Sequence, residues 1–208
     1  VAKHEEEIVL APGAEPAADP NLVLRVAVAA AEFGLPIAPG TLRNLKKCPI
    51  GDRNWTDESR ELFIRLLASG PALLNVWEDI DFIDVPGKLI PEWLGVRNRP
   101  SASAAHRYTI DRHMVEVVTR LGRETPSGGR YDDRHYEALL LAGILHDIGK
   151  RPGVANHAAE GARHATVVVE RMGFDRDIVR WVTLLVREHL TLSEFATGRN
   201  PNDPNVGD

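Results

Sequence analysis

Residues 139–150, LLLAGILHDIGK, form an apolar run that closes on His146 and Asp147, with Gly149 and Lys150 just beyond. An imidazole beside a carboxylate at the end of a buried segment constrains the fold, because both groups are costly to desolvate unless they pair, hydrogen-bond or hold a metal. Adjacent side chains on a helix diverge by about 100°, so His146 and Asp147 would approach an ion from different sides where the helix ends. Gly149 is expected to make that end through positive φ, leaving Lys150 at the rim within reach of a phosphate. A simple His–Asp hydrogen bond at a frayed helix end is the plainer alternative, and the partners of the pair decide between the two.

Those partners lie on three further segments with helical spacing. Thr109 is placed to cap a helix whose apolar face runs Ile110, Met114, Val117, Val118 and Leu121 before Gly122, and His113 lies on that face. Asp132 or Asp133 caps the helix that delivers His146 and Asp147. A helix starting near Asn156 aligns His157, Gly161, His164, Ala165, Val168 and Met172; Gly161 leaves room for a backbone or substrate, and His164 reads as a packed core residue. After Gly173 and the Asp175 cap, Ile178, Val182, Leu185 and Val186 point inward and His189 continues their stripe. Four helices thus present an imidazole to an apolar interior, and one adds a carboxylate. Nitrogen and carboxylate donors together suit Mn, Fe, Zn or Mg, and a bridging Asp147 allows two ions.

Upstream, residues 1–20 read as an irregular lead-in with one short strand at EIVL, residues 7–10. Helical spacing follows at 21–33, ending at Gly34, then after turns at Pro36 and Pro39, where Thr41 is available as a cap. It returns after Thr56 through Leu62, Phe63, Leu66 and Leu67, at 71–81 through Leu73, Leu74 and Trp77, and at 90–96 with Trp93; residues 97–105 are a polar connector. The tryptophans read as core, His4 as a solvated tail residue and His135 as a surface residue. No tandem repeat and no strand pattern able to build a sheet is visible, so the fold expected is all-α: a helical segment and connector over 21–100, then a helical bundle over 101–208.

Composition narrows the function classes. A net charge of -5 lacks the basic footprint of a sequence-independent grip on nucleic acid. The single Cys48 excludes an internal disulfide and suits a reducing compartment. No apolar run approaches the ~18 residues of a membrane span, so the expected location is the cytoplasm, with no membrane partner.

HRYTIDRH at 106–113, LHDIGK at 145–150, NHAAEGA at 156–162 and LVREHLTLS at 185–193 together resemble the HD-domain metal-dependent phosphohydrolases. Within them they are most similar to the uridylyl-removing domain of the bifunctional uridylyltransferase/uridylyl-removing enzymes of nitrogen PII signalling. GLPIAP at 34–39 and LIPEWLGVRNRP at 89–100 are similar to the helical segment preceding that domain.

The resemblance implies a first metal site at His113, His146 and Asp147 and a second completed by His157 and His189, with Asp203 as a candidate to close the first. Asn200 stands where the family tail often carries an aspartate. The resemblance further implies two divalent ions, Mn2+ or Mg2+ with Fe or Zn open, and catalysis by Asp147 and Lys150, with Lys150 and His106 on the substrate side. The expected substrate is nucleotidylated PII, carrying UMP or AMP on a tyrosine. No Gly-Ser loop with paired acidic residues occurs, so the chain reads as the middle of a longer protein with nucleotidyltransferase and ACT domains flanking it. Two other readings use the same residues: an HD phosphohydrolase acting on a free nucleotide, and a non-catalytic helical relay.

Overall fold

Helical apolar spacing dominates the chain, and the computed structural model, which describes residues 1–50, 55–100, 108–122 and 133–191, is an all-α bundle with one small hairpin. Strands β1 (Ala2–His4) and β2 (Glu7–Val9) pair antiparallel. The lead-in is therefore more ordered than its composition suggests. Ile8 is buried and ties the hairpin down, its N–H donating to the Pro36 carbonyl at 2.9 Å and its carbonyl accepting from Ala38 at 3.0 Å.

Helix α1 (Leu22–Phe33) is buried on almost every side, as an Ala- and Val-rich helix without charge on most positions requires, and Gly34 ends it at a φ of 64°. Helix α2 (Pro39–Leu45) begins one turn earlier than the Thr41 cap implied. Pro39 is pre-set for the first helical position, while the Thr41 hydroxyl accepts the Leu10 N–H at 3.3 Å. Helix α3 (Asp57–Leu67) starts at a Thr56–Ser59 capping box and buries Leu62, Phe63, Leu66 and Leu67, the expected face. Thr56→Ala should lower unfolding free energy by about 1 kcal/mol in denaturant titrations, with the slope of the transition unchanged.

Helix α4 (Ala72–Phe82) is followed by a short α5 (Val85–Leu89), not legible in the sequence, and by a 3-10 turn at Pro91–Gly95 where a short helix was expected. Trp77 and Trp93 are buried against each other, with ring centroids 5.4 Å apart, and act as core. Helices α6 (Ile110–Leu121), α7 (Asp133–Leu145), α8 (His157–Arg171) and α9 (Arg176–Glu188) complete the bundle.

Three sequence expectations shift. Thr109 makes no side-chain cap; instead the Asp111 carboxylate accepts the Arg112 N–H at 2.9 Å and the Asn98 N–H at 2.8 Å, stitching the connector to α6. The buried face of α6 runs through Asp111, Met114, Val115, Val118 and Thr119, which leaves Val117 and His113 half-buried at its edge. Leu185 is 40% exposed, so α9 buries Ile178, Val182 and Val186 instead, with Val179 and Trp181 packed beside them against the core. The apolar core is continuous from Ile8 in the hairpin through α1, α3 and α4 to Val186 in α9.

Candidate metal centre

The site forms where α7 ends. Its last turn is succeeded by tight local bonds, Ile148 N–H to Leu145 O at 3.0 Å and Lys150 N–H to Asp147 O at 2.9 Å, which carry Asp147 inward. Gly149 makes this turn possible for a reason other than the expected one. It is not among the positive-φ glycines; a Cβ there would lie 2.3 Å from both the Gly161 nitrogen and the His157 carbonyl oxygen. Gly149 and Gly161 are the place where two backbones touch, which brings α8 and its His157 against the HD pair.

Asp147 is 2% exposed and stands at the centre. Its Oδ2 faces His146 Nε2 at 3.5 Å and His113 Nε2 at 4.0 Å, while Oδ1 faces His189 Nε2 at 3.4 Å and His157 Nε2 at 3.8 Å. Each carboxylate oxygen thus meets one pair of imidazoles. The donor atoms of His113, His146 and Asp147 lie within 4.8 Å of one another, as do those of Asp147, His157 and His189. Two donors each ~2.1 Å from one ion stand roughly 3–4 Å apart, so both triads have the span of a metal site.

Ring orientation agrees with this. His146 Nδ1 lies 2.8 Å from the Gly143 carbonyl and His189 Nδ1 lies 2.7 Å from the Val186 carbonyl. With those nitrogens donating, each Nε2 turns a lone pair toward Asp147. His189 Nε2 and Asp147 Oδ1 are buried without a hydrogen bond, an arrangement of facing acceptors that a shared cation would satisfy. The donor set therefore fits a divalent metal.

Charge in the cluster is polarised. Burial would raise the Asp147 carboxyl, but His189, His146 and Lys150 together hold it well below the usual carboxylate range. Burial would likewise lower His189, yet the Asp147 carboxylate raises it above its ordinary value. For His146 burial wins, pushing the imidazole from 6.5 to about 4. In the metal-free chain the unfolded state takes up the His146 proton at its ordinary value and the folded state does so only near 4, so stability present above 6.5 is lost as pH falls through this window. The loss is at most about 3 kcal/mol, partly offset by the oppositely shifted His189. Thermal unfolding of chelator-treated protein should show a falling midpoint from pH 6.5 to 4, and a flat profile would contradict the burial of His146.

Lys150, expected at the rim, has its ammonium 2.8 Å from Asp147 Oδ2 and is only partly exposed. His164 points elsewhere, its Nε2 3.0 Å from Glu160 Oε1, as a packed residue of α8. His135 is exposed and stacks on Trp181, ring centroids 4.2 Å apart. His106, Asp203 and Asn200 lie outside the described residues. A separate cleft of about 240 Å³ between α4 and α6 is lined by Trp77, Glu78, Asp81 and Asp111, but its carboxylates are already held by Arg112, Arg97 and backbone N–H groups. Sequence reasoning missed Arg151 and Glu92, which brace the turn after α7 from behind, because a charged residue beside Lys150 or after a proline reads as solvated.

No helix among the described residues is long and apolar enough to cross a membrane. No protein-family model matches the chain. Among curated proteins it is 39% identical over 205 residues to a bifunctional uridylyltransferase/uridylyl-removing enzyme of Mycobacterium tuberculosis, covering 98% of this chain and 25% of that protein. The protein of the same description from Streptomyces coelicolor is 40% identical over 207 residues, with 98% and 24% covered, and that of Caulobacter vibrioides is 35% identical over 154 residues, with 68% and 16% covered. The chain spans about a quarter of the length of the first two relatives. With nearly all of its residues aligned, the chain belongs to the family of bifunctional uridylyltransferase/uridylyl-removing enzymes, as the counterpart of that quarter.

Proposed function

We propose that residues 101–208 form an HD-type phosphodiesterase, with 21–100 as its supporting segment, that hydrolyses the bond between a nucleoside monophosphate and a tyrosine oxygen of the PII protein. The observation that supports this reading is the placing of Asp147, each of whose carboxylate oxygens faces a separate pair of imidazoles. His113, His146 and Asp147 would hold one divalent ion, Mn2+ or Mg2+ by preference, and Asp147, His157 and His189 a second, with Asp203 as a further ligand of the first. Such ions supply Lewis acidity, making water a stronger acid and drawing negative charge from phosphoryl oxygens.

The chain's own groups do the rest. Asp147, held ionised, accepts a hydrogen bond from the attacking water and orients it; a carboxylate so easily ionised serves as ligand and orienter better than as proton store. The Lys150 ammonium neutralises a phosphoryl oxygen, and the family resemblance assigns His106 to substrate binding. Tyrosinate, with a pKa near ~10, departs without a strong general acid. We assign the nucleotidyl-transfer half of the relatives' activity, and ACT-type sensing, to other regions of the full-length protein, and its place to the cytoplasm.

Elemental analysis of the purified chain, combined with UMP release from uridylylated PII, tests the reading; adenylylated PII in parallel identifies the nucleotide. Finding neither bound metal nor release of either nucleotide would refute it and favour a relay module.

A further inference from the structure

The turn after α7 is held from two sides. On one, Gly149 lies against the α8 backbone. On the other, Arg151 reaches to the 3-10 turn Pro91–Gly95, where its Nη2 donates to the Glu92 carbonyl at 2.8 Å. The Glu92 carboxylate is itself gripped by both terminal nitrogens of Arg171, at 2.9 and 2.6 Å. Arg171 closes α8, the helix that begins with His157.

Two details say that this contact is built. Gly95 is the residue over which the guanidinium crosses: a Cβ there would stand 2.5 Å from Arg151 Nε. That Nε is buried and makes no hydrogen bond, whereas an arginine serving only solubility would keep its donors in water. The turn's other bonds are local, such as Arg151 N–H to Gly149 O at 2.8 Å and Val154 N–H to Arg151 O at 3.2 Å, and local bonds fix its shape without fixing where it sits.

We infer that Arg151 is a positioning residue: locked onto the Glu92 carbonyl beneath Gly95, it sets where the Asp147 carboxylate and the Lys150 ammonium stand relative to the four histidines. The inference rests on the phosphodiesterase reading. It makes the Pro91–Gly95 turn part of the catalytic apparatus although that turn contributes no ligand. Loss of a group that orients metal ligands costs roughly 10–100-fold in affinity or rate.

The test uses the whole 208-residue chain, with Mn2+ binding followed by calorimetry and turnover followed on bis(p-nitrophenyl) phosphate and uridylylated PII. Arg151→Met keeps the aliphatic stem and Gly95→Ala crowds the guanidinium. Both should weaken Mn2+ binding and lower kcat by roughly 10–100-fold in folded protein, with Arg151→Lys recovering most of the loss. A merely structural role would lower the melting temperature and leave the folded fraction's Mn2+ affinity and kcat unchanged; that result overturns the inference. Should Arg151→Met fail to fold, Gly95→Ala decides, and unchanged binding and turnover in it overturn the inference equally. An unmodified chain that neither binds Mn2+ nor cleaves either ester refutes the phosphodiesterase reading and this role with it, whereas defects confined to the variants speak for Arg151.

Discussion

If the chain is the phosphodiesterase proposed above, Asp147→Asn should yield a folded chain that binds no divalent metal and releases no nucleotide. The substitution keeps the size and removes the charge. It also turns an amide N–H₂ toward one pair of imidazoles whose lone pairs face the carboxylate, so a hydrogen bond takes the place an ion would fill. Removing transition-state electrostatics of this kind costs about 10²–10³ in rate, and losing the ion costs more. Circular dichroism should stay helical, because Asp147 lies in the turn beyond α7, outside any helix. His164→Gln serves as the contrast, since that ring faces Glu160 and should leave release close to that of the unmodified chain. Near-normal release from folded Asp147→Asn protein would rule out the mechanism centred on this carboxylate.

The second large effect is expected from Gly149→Ala. A methyl group at this position meets the Gly161 nitrogen and the His157 carbonyl oxygen at 2.3 Å, and both are backbone atoms that cannot rotate aside. Either α8 moves off the turn or the turn moves off α8, and each carries a histidine away from Asp147. Overpacking of this severity should cost about 3 kcal/mol or more, lowering the melting temperature by roughly 6–12 °C. Gly153→Ala, where a Cβ meets nothing within 4 Å but φ is 79°, should cost only about 1 kcal/mol. Equal melting temperatures for the two variants would show that the backbones have room to spare.

The helices and their histidines were legible because a 3.6-residue period shows itself in apolar spacing: His157 and His189 fall on the same stripes as Val168 and Val182. The inward face of α6 was misjudged by one position because Asp111 is buried, and a carboxylate does not announce burial until its two N–H donors are known. Gly149 was picked out for the wrong reason, since a glycine required by a neighbouring helix looks the same in sequence as one required by its own φ. The short strand at EIVL was legible and stands as β2, whereas its partner β1 escaped notice, because Lys3 and His4 are exposed and Ala2 is half-buried, so no apolar alternation marks it. Arg151 and Glu92 were missed altogether, for their meaning lies in a contact spanning 59 positions along the chain.

The unbroken core bears on how the molecule comes apart. Leu24 in α1 and Val186 in α9 belong to one apolar cluster, so neither half can melt without uncovering the other. Denaturation should then proceed as a single transition, and an ion bound among the histidines would protect amides in α1 from hydrogen exchange as strongly as those in α7, by RT ln(1 + [L]/Kd). A chain trimmed at residue 100 would by the same token present its inner surface to water. The helices upstream are therefore as much the foundation of the histidine cluster as the helices that bear it.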